Sequence, residues 1–261
     1  MTDLAAQAGR LLRQQAAIAS FGSFALRQND LLKVLTEAAK VCAEGLSVRF
    51  CKICRYRAEE SDLLIEAGFG WHAGVVGNVV SRADPSSPQG RAFISGQPSI
   101  CNDLRTDNLF VLPQFYAEHA IISTIDVLIK GDGRPYGVLE VDSDVQHDYD
   151  QNDINFLTSF ANVLAEAVAT AGRTAMLRAA IEEKDRLLEQ KNVLAKELQH
   201  RVRNNMQLVY GMLSKQLEDT ADAGVQKGIR SIARRVRALG LIHEHLLGGS
   251  LSRMTDFGHY T

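Results

Sequence analysis

The stretch best suited to chemistry is ELQHRVRNNMQLVYGMLSKQLE, residues 197–218, where a histidine interrupts a helical pattern of apolar residues. At about 100° of rotation per residue, one sector of this helix collects Leu198, Val202, Met206, Val209 and Leu213, which predicts a buried stripe. His200 lies roughly opposite that stripe, so we expect it on the exposed face. A neutral imidazole nitrogen is a nucleophile near neutral pH. The sequence therefore predicts an exposed nucleophile on a rigid helix, able to accept a phosphoryl group.

The residues around this histidine form a pattern of their own. His-Arg-Val-Arg-Asn-Asn-Met-Gln resembles the phosphoacceptor box of the HisKA-type subfamily related to HWE kinases, which has His-Arg-x-x-Asn. The resemblance implies that His200 is the phosphorylated histidine and that Arg201 and Asn204 orient the imidazole or the incoming phosphoryl group. Many other histidine kinases have an acidic residue directly after the histidine, where this chain has Arg201. Glu197, one turn earlier, is a candidate to replace that base in part.

A second helical pattern follows in IRSIARRVRALGLIHEHLL, residues 229–247. Its apolar residues recur at heptad-like spacing: Ile229, Ile232, Val236, Leu239, Ile242 and Leu246. This pattern resembles the returning helix of a dimerisation and phosphotransfer hairpin, with Asp219 to Gly224 as the turn. Two such hairpins, one from each chain, would form a four-helix bundle. Its arginines, Arg230, Arg234, Arg235 and Arg237, form either a solvated face or a contact for an acidic receiver.

A long helix must lead into this hairpin, because residues that break helices almost vanish after Asp150. Asp150 can cap a helix that continues to about Leu217, with Phe156, Phe160, Val163 and Ala167 on one face. Leu177, Ala180, Leu187, Leu194 and Leu198 fit a and d positions of one heptad register, with Lys184 and Lys191 at a. This pattern favours a coiled-coil stalk over an ordinary solvated helix.

In the first half of the chain, short strand-like runs alternate with turns and short helices, which is typical of an α+β domain. SVRFCKICRYR and DLLIEAGFGW predict strands, and STIDVLIKGDGRPYGVLEVDS predicts a hairpin that turns at Gly131-Asp132-Gly133. DLLKVLTEAAKVCAEGL predicts a helix capped at Gly45, and RAFISG a short helix ended by Gly96. We therefore predict an antiparallel sheet with flanking helices.

Residues 20–170 resemble a GAF domain in the order and spacing of GFGWHAGVVG, SSPQGRAFISGQPSICNDL, PYGVLEVDS and YDQNDINFLTSFANVLAEAV. GAF domains bind many small molecules, tetrapyrroles among them, or none. The Asp-Ile-Pro motif of phytochrome-like members is replaced by Ala83-Asp84-Pro85, and no cysteine–histidine pair for bilin attachment is evident, so no bilin is expected. Cys101 is the candidate for a thioether bond to a bilin, but we expect it to be a small buried residue of a strand. His119 and His72 are the candidate haem ligands, but we expect no haem.

Composition limits the remaining possibilities. The 261 residues suffice for two domains, and 29 basic against 31 acidic residues give no sign of nucleic-acid or membrane binding. No apolar run approaches the length of a transmembrane helix and no signal peptide is evident, so we expect a cytoplasmic protein. The four cysteines are expected to be free thiols. Cys51 and Cys54 point to opposite faces of a strand and no second CxxC is present, so no metal site is expected.

These observations predict a GAF sensor domain at 1–170, a coiled-coil signalling helix at 171–196 and a phosphotransfer hairpin at 197–250. Residues 251–261 would begin a linker to an ATP-binding domain that is missing from this chain. The resemblance implies a homodimeric (parallel) sensor histidine kinase that passes phosphate from His200 to the receiver domain of a response regulator. ATP and Mg²⁺ would act through the missing domain, so the chain alone should be inactive with ATP. A phosphotransfer intermediary and a structural dimerisation module remain alternatives, and the GAF ligand is unknown.

Overall fold

The computed structural model describes residues 2–107 and 109–254, with side chains described for residues 5, 7–107 and 109–242. The chain divides into two compact units, Met1–Leu177 and Arg178–Thr261. The helices are α1 Thr2–Ala25, α2 Leu31–Leu46, α3 Pro88–Ser95, α4 Gln114–Glu118, α5 Gln151–Glu218 and α6 Ala223–Met254. The strands are β1 Phe50–Arg57, β2 Asp62–Phe69, β3 Val80–Arg82, β4 Ser99–Cys101, β5 Ser123–Ile129 and β6 Gly137–Ser143.

The first unit is built on an antiparallel sheet in the order β3-β2-β1-β6-β5-β4. The predicted hairpin is present as β5 and β6, which pair from Ser123 opposite Ser143 to Ile129 opposite Gly137. The short helix α3 ends at Gly96, whose φ of 66° is a left-handed conformation that glycine adopts without strain. The predicted antiparallel α+β domain, followed by a long helix and a further helix, is confirmed.

One face of the sheet packs against α1, α2 and the start of α5. The sequence patterns did not predict α1, yet Phe21 is fully buried and stacks on Phe160 of α5 with ring centroids 4.8 Å apart. Farther along α1, Arg10 donates to Asp150 at 2.7 Å, next to the first turn of α5. The N-terminal helix is therefore part of the core of this unit.

The predicted cap at Gly45 is wrong. Helix α2 continues to Leu46 and is capped by Ser47, which has a left-handed φ of 56°. Gly45 is instead a packing residue, because a Cβ there would lie 2.7 Å from the Phe156 ring and 3.2 Å from the Ala17 methyl group. The glycine lets α5 and α1 approach α2 closely.

The other face of the sheet lies under α3, α4 and the loops that connect the strands. The alternation of a strand separates the two cysteines of the CxxC sequence, as predicted: Cys51 packs with α2 and α5, and Cys54 with the opposite cluster. All four cysteines are buried free thiols.

Helix α5 is 68 residues long and begins at the predicted cap, where Asp150 accepts from the backbone N–H groups of Asn152 at 2.7 Å and Asp153 at 3.1 Å. By length and composition it is the one helix among the described residues that could span a membrane. Its buried residues Phe156, Leu157 and Phe160 pack into the core of the first unit, which accounts for part of this apolar character. Helix α6 continues through Met254, so it overlaps the start of the predicted 251–261 linker; residues 255–261 lie outside the described residues.

Candidate functional site

The predicted phosphoacceptor segment lies within the second unit, on the C-terminal part of α5. After α5 ends at Glu218, a short turn leads to α6, whose first turn is capped by Asp222. The Asp222 carboxylate accepts from the N–H groups of Gly224 at 2.7 Å and Val225 at 3.1 Å. An aspartate that accepts from two orphan N–H groups favours the start of a helix at this point. The chain thus forms the predicted helical hairpin.

The apolar stripe of α5 is only partly covered by α6. Val202, Met206 and Leu213 are half-buried, but Leu198 and Val209 are 62% and 43% exposed. Within one chain the predicted stripe is therefore only partly covered, because a single neighbouring helix covers one side of it.

His200 is exposed on the opposite side of α5. Within the described part of the chain, no hydrogen bond or ion pair engages its imidazole. At about 100° per residue, Glu197, Arg201 and Asn204 lie about 60°, 100° and 40° around the helix from His200, all on the same side of it. The three polar side chains that the sequence singled out therefore share one surface with it.

Two of these neighbours are paired with each other. Arg201 Nη2 donates to Glu197 Oε1 at 2.5 Å, in the i,i+4 arrangement with the acidic residue first that suits a helix. Both side chains are more than half exposed, so the pair contributes little stability. A carboxylate one turn before His200 and a guanidinium group directly after it are thus held together beside an imidazole that has no partner among the described residues. This arrangement offers a nucleophile, an acceptor for its proton and a cation for an incoming anion.

A groove of about 370 Å³ lies between α5 and α6 beside this surface, lined in part by Gln199 and Arg203. The helices approach closely there because Gly240 has no side chain: a Cβ would lie 3.1 Å from Met206 Sδ. The groove lining is mainly apolar, which suits packing rather than catalysis.

The thioether candidate of the first unit lies in a site that suits neither a nucleophile nor a ligand. Cys101 is buried on β4 with its Sγ 3.6 Å from Asp107 Oδ2. Burial raises the pKa of the Cys101 thiol to about 11, and the nearby carboxylates add to the shift. A thiol with a raised pKa carries little of the reactive thiolate near neutral pH.

The two haem candidates lie next to each other, with ring centroids 4.1 Å apart. His119 is buried, and both of its ring nitrogens are engaged: Nδ1 donates to the Phe115 carbonyl at 2.8 Å, and Nε2 accepts from the His72 N–H at 3.0 Å. Neither nitrogen of His119 is therefore open to a metal in this conformation. His72 is exposed.

The sequence patterns missed one group of residues in the first unit. Lys52, Asp126, Glu140 and Asp142 are charged residues with no exposed surface, gathered under α3 and α4. Their only signal in the sequence is that they alternate with apolar residues along three strands, a pattern that ordinarily predicts an exposed polar face.

Two protein-family models match separate segments of the chain. The GAF domain family model matches residues 28–169, which is more than half of the chain. A second family model, described as histidine kinase (HisKA_2), matches residues 197–261 and includes His200.

Among curated proteins, the chain is similar to the sensor histidine kinase PdtaS of Mycobacterium tuberculosis, with 28% identity over 186 residues. That match covers 69% of this chain and 34% of the relative, so the chain spans about a third of the length of these relatives.

Solved structures resemble the first unit in fold alone. A GAF domain from a phosphoenolpyruvate-protein phosphotransferase of Coxiella burnetii superposes with a TM-score of 0.58 at 14% identity, covering 63% of this chain and 98% of that one. A free methionine-R-sulfoxide reductase from Neisseria meningitidis, in complex with its substrate, gives 0.54 at 20% identity, covering 62% and 91%. Because the GAF model covers more than half of the chain, the chain belongs to the GAF domain family; after that domain, residues 197–261 match the histidine kinase (HisKA_2) model.

Proposed function

We propose that this chain is the sensory and phosphoacceptor part of a two-component sensor histidine kinase, with His200 as the phosphorylated residue. The observation that carries the proposal is the exposed imidazole of His200, unengaged within the described residues, inside the segment that matches the histidine kinase family. An imidazole nitrogen attacks the γ-phosphorus of ATP, the bond to ADP breaks and ADP leaves. An aspartate of a response regulator then takes the phosphoryl group from the histidine. ATP and Mg²⁺ are bound by an ATP-binding domain rather than by these residues.

The neighbours of His200 have separate roles in this proposal. Arg201 and Asn204 orient the imidazole or the phosphoryl group, since a guanidinium group and an amide are donors to phosphate oxygens. Glu197 takes up the imidazole proton, because it lies one turn away and carries a carboxylate. The ion pair between Glu197 and Arg201 keeps both groups near the histidine before phosphate arrives.

Self-association follows from the apolar surface of the second unit. Large apolar side chains remain exposed along both helices, among them Leu187, Leu194, Leu198, Leu208, Met212, Ile232, Leu239 and Ile242. An exposed apolar surface of this extent favours a protein interface. We propose a parallel homodimer in which two hairpins form a four-helix bundle and the stalks form a coiled coil in the cytoplasm. The GAF domain is the candidate site for a small ligand of unknown identity, and we expect neither bilin nor haem there.

The proposal is tested by incubating the full chain with ATP, Mg²⁺ and a separately expressed ATP-binding domain from the same kinase subfamily. We expect label on the wild type and on His72→Gln, an exposed histidine of the first unit, and no label on His200→Gln. Labelling of His200→Gln at the wild-type level contradicts the proposal. Failure of the wild type with an active partner domain also contradicts it, and transfer from a phosphorylated receiver would then identify a phosphotransfer intermediary.

A further inference from the structure

The charged residues missed by the sequence patterns form a compact cluster on three central strands of the first unit. Lys52 of β1 lies directly opposite Glu140 of β6, and Glu140 lies directly opposite Asp126 of β5. Asp142, two residues along β6, points to the same face of the sheet. The antiparallel register thus brings one ammonium group and three carboxyl groups together, and none of the four has exposed surface.

Lys52 uses all of its donors within the cluster. Its Nζ lies 2.8 Å from Glu140 Oε1 and 2.6 Å from Asp142 Oδ2, and it donates to the Tyr116 hydroxyl at 3.2 Å. Glu140 Oε1 also accepts from the hydroxyls of Tyr116 at 2.5 Å and Thr124 at 3.0 Å. One carboxylate oxygen therefore receives three donors, which identifies Glu140 as the ionised partner of the lysine.

Three other carboxyl oxygens have no donor. Asp126 Oδ1, Glu140 Oε2 and Asp142 Oδ1 are buried without a hydrogen-bond partner. With every carboxyl group ionised, one positive charge would face three negative charges in the interior, which is prohibitive without compensation. An O–H group on Asp126 and another on Asp142 would each remove one negative charge and supply a donor for a neighbouring carboxyl oxygen such as Glu140 Oε2.

The surrounding groups agree with this protonation. Burial and the nearby Glu140 raise the pKa of Asp126 and that of Asp142 well above their usual range. Burial also acts to raise the pKa of Glu140, but Lys52 and hydrogen bonds from its neighbours outweigh it, and that pKa is lowered. For Lys52, burial acts to lower the pKa, but the adjacent acidic side chains Asp142 and Glu140 outweigh it and the pKa is raised.

Other titratable groups face the cluster from β1, from α4 and from the segment before α5. They are Cys54, Tyr116 and Tyr149, and burial raises the pKa of each. Helix α3 contributes only the uncharged Gln89, which donates to the Tyr116 hydroxyl at 2.6 Å. The aspartates have the lowest ordinary pKa of these acids, so they are the groups that release protons when the domain unfolds near neutral pH.

We infer that Asp126, Glu140 and Asp142 form a proton-binding site in the sensor domain, which holds one proton on each aspartate when folded and releases both on unfolding. The site makes the folded domain less stable as pH rises above about 4. The inference concerns the first unit alone and does not depend on phosphorylation of His200.

The sign of the pH effect follows from linkage. An unfolded aspartate loses its proton above about pH 4, whereas the folded aspartates keep theirs to higher pH. Stability from each group is therefore fully present below pH 4 and is lost as pH rises toward the folded pKa. In that window, two linked protons change the unfolding constant by about 100-fold per pH unit, and one proton by about tenfold.

The test measures thermal unfolding of the full chain against pH, together with ¹³C spectra of the aspartate side-chain carboxyl groups. We expect two protonated aspartates at neutral pH, one of which disappears in Asp126→Asn and the other in Asp142→Asn. In each variant the unfolding constant should change about tenfold per pH unit instead of about 100-fold. Asp132→Asn, which replaces an exposed residue of the hairpin, should keep the full pH dependence. The asparagines replace protonated acids by amides of similar shape, so we expect both variants to fold.

Two results would overturn the inference. One is a full set of ionised aspartates at neutral pH, with the pH dependence unchanged in both variants. The other is stabilisation of the wild type by added methylammonium while the aspartates are ionised, which would mean that a cation, rather than protons, compensates the cluster.

Discussion

Replacement of Lys52 by methionine tests how the core of the sensor domain tolerates its charges. Methionine keeps most of the methylene volume and removes the ammonium group. Glu140 and Asp142 then lose donors at 2.8 and 2.6 Å in a site without exposed surface. Removing one partner of a buried ion pair costs about 3–5 kcal/mol, because the remaining charge is left uncompensated. That is a large part of the about 5–15 kcal/mol by which native proteins are stable.

A second substitution separates this cost from loss of packing. In Lys52→Met with Glu140→Gln, neither charge of the ion pair remains, and buried ion pairs replaced by neutral groups are often nearly neutral in stability. We therefore expect the double variant to be within about 1–2 kcal/mol of the wild type in free energy of unfolding, and to be more stable than Lys52→Met alone. A second substitution that restores stability in this way indicates coupling between the two side chains.

Urea unfolding followed by tryptophan fluorescence measures the free energy of unfolding of the first unit, which contains Lys52. Trp71 is the single tryptophan of the chain, and its ring lies 4.7 Å from Lys52 Nζ. The control is Lys33→Met, whose side chain is 67% exposed and 3.7 Å from Asp30, and which should cost less than about 0.5 kcal/mol. The reasoning is refuted if the Lys52 and Lys33 variants are equally stable, or if Glu140→Gln adds to the loss in the Lys52 variant.

Three further predictions concern the helices. Phe21→Ala should destabilise the first unit by about 3–5 kcal/mol in the same urea experiment, because the ring is fully buried, whereas Leu12→Ala at a 71% exposed position should be nearly neutral; equal effects would contradict the role of α1. Asp150→Ala should cost about 1–2 kcal/mol at neutral pH through loss of the helix cap. Burial acts to raise the pKa of Asp150, but the ion pair with the α1 arginine and backbone hydrogen bonds outweigh it and lower that pKa. The stability that Asp150 contributes is therefore present above its unfolded pKa of about 4 and is lost as pH falls. A stability difference between the wild type and Asp150→Ala that persists in acid would contradict this. Leu194→Lys should weaken self-association by about tenfold or more in sedimentation equilibrium, whereas Glu189→Lys on the outer face should not; an unchanged dimer constant for Leu194→Lys would refute the stalk interface.

Regular periodicity made the larger elements predictable. The alternation in STIDVLI and GVLEVDS predicts the β5–β6 hairpin, and the absence of helix breakers after Asp150 predicts the long α5. Helix α1 was missed because charges and glutamines interrupt its apolar residues, and only packing on Phe160 shows that Phe21 faces a core. Glycine commonly ends helices, so the sequence predicts a cap at Gly45; the close approach of the Phe156 ring explains this glycine instead.

The two candidate sites also differ in how far the sequence predicts them. The exposure of His200 could be predicted, because it depends only on the angle around one helix. The buried carboxyl cluster could not, since Asp126, Glu140 and Asp142 occupy the polar positions of alternating strands, which usually face solvent. Tertiary packing of α3 and α4 over that face reverses the expectation.

Phosphorylation of His200 is tested by mapping the phosphate on the full chain after reaction with ATP, Mg²⁺ and a separate ATP-binding domain. We expect an acid-labile phosphoryl group on His200, found in the peptide that contains residues 197–218. An acid-stable phosphate, or label on another histidine with His200 unmodified, would contradict it.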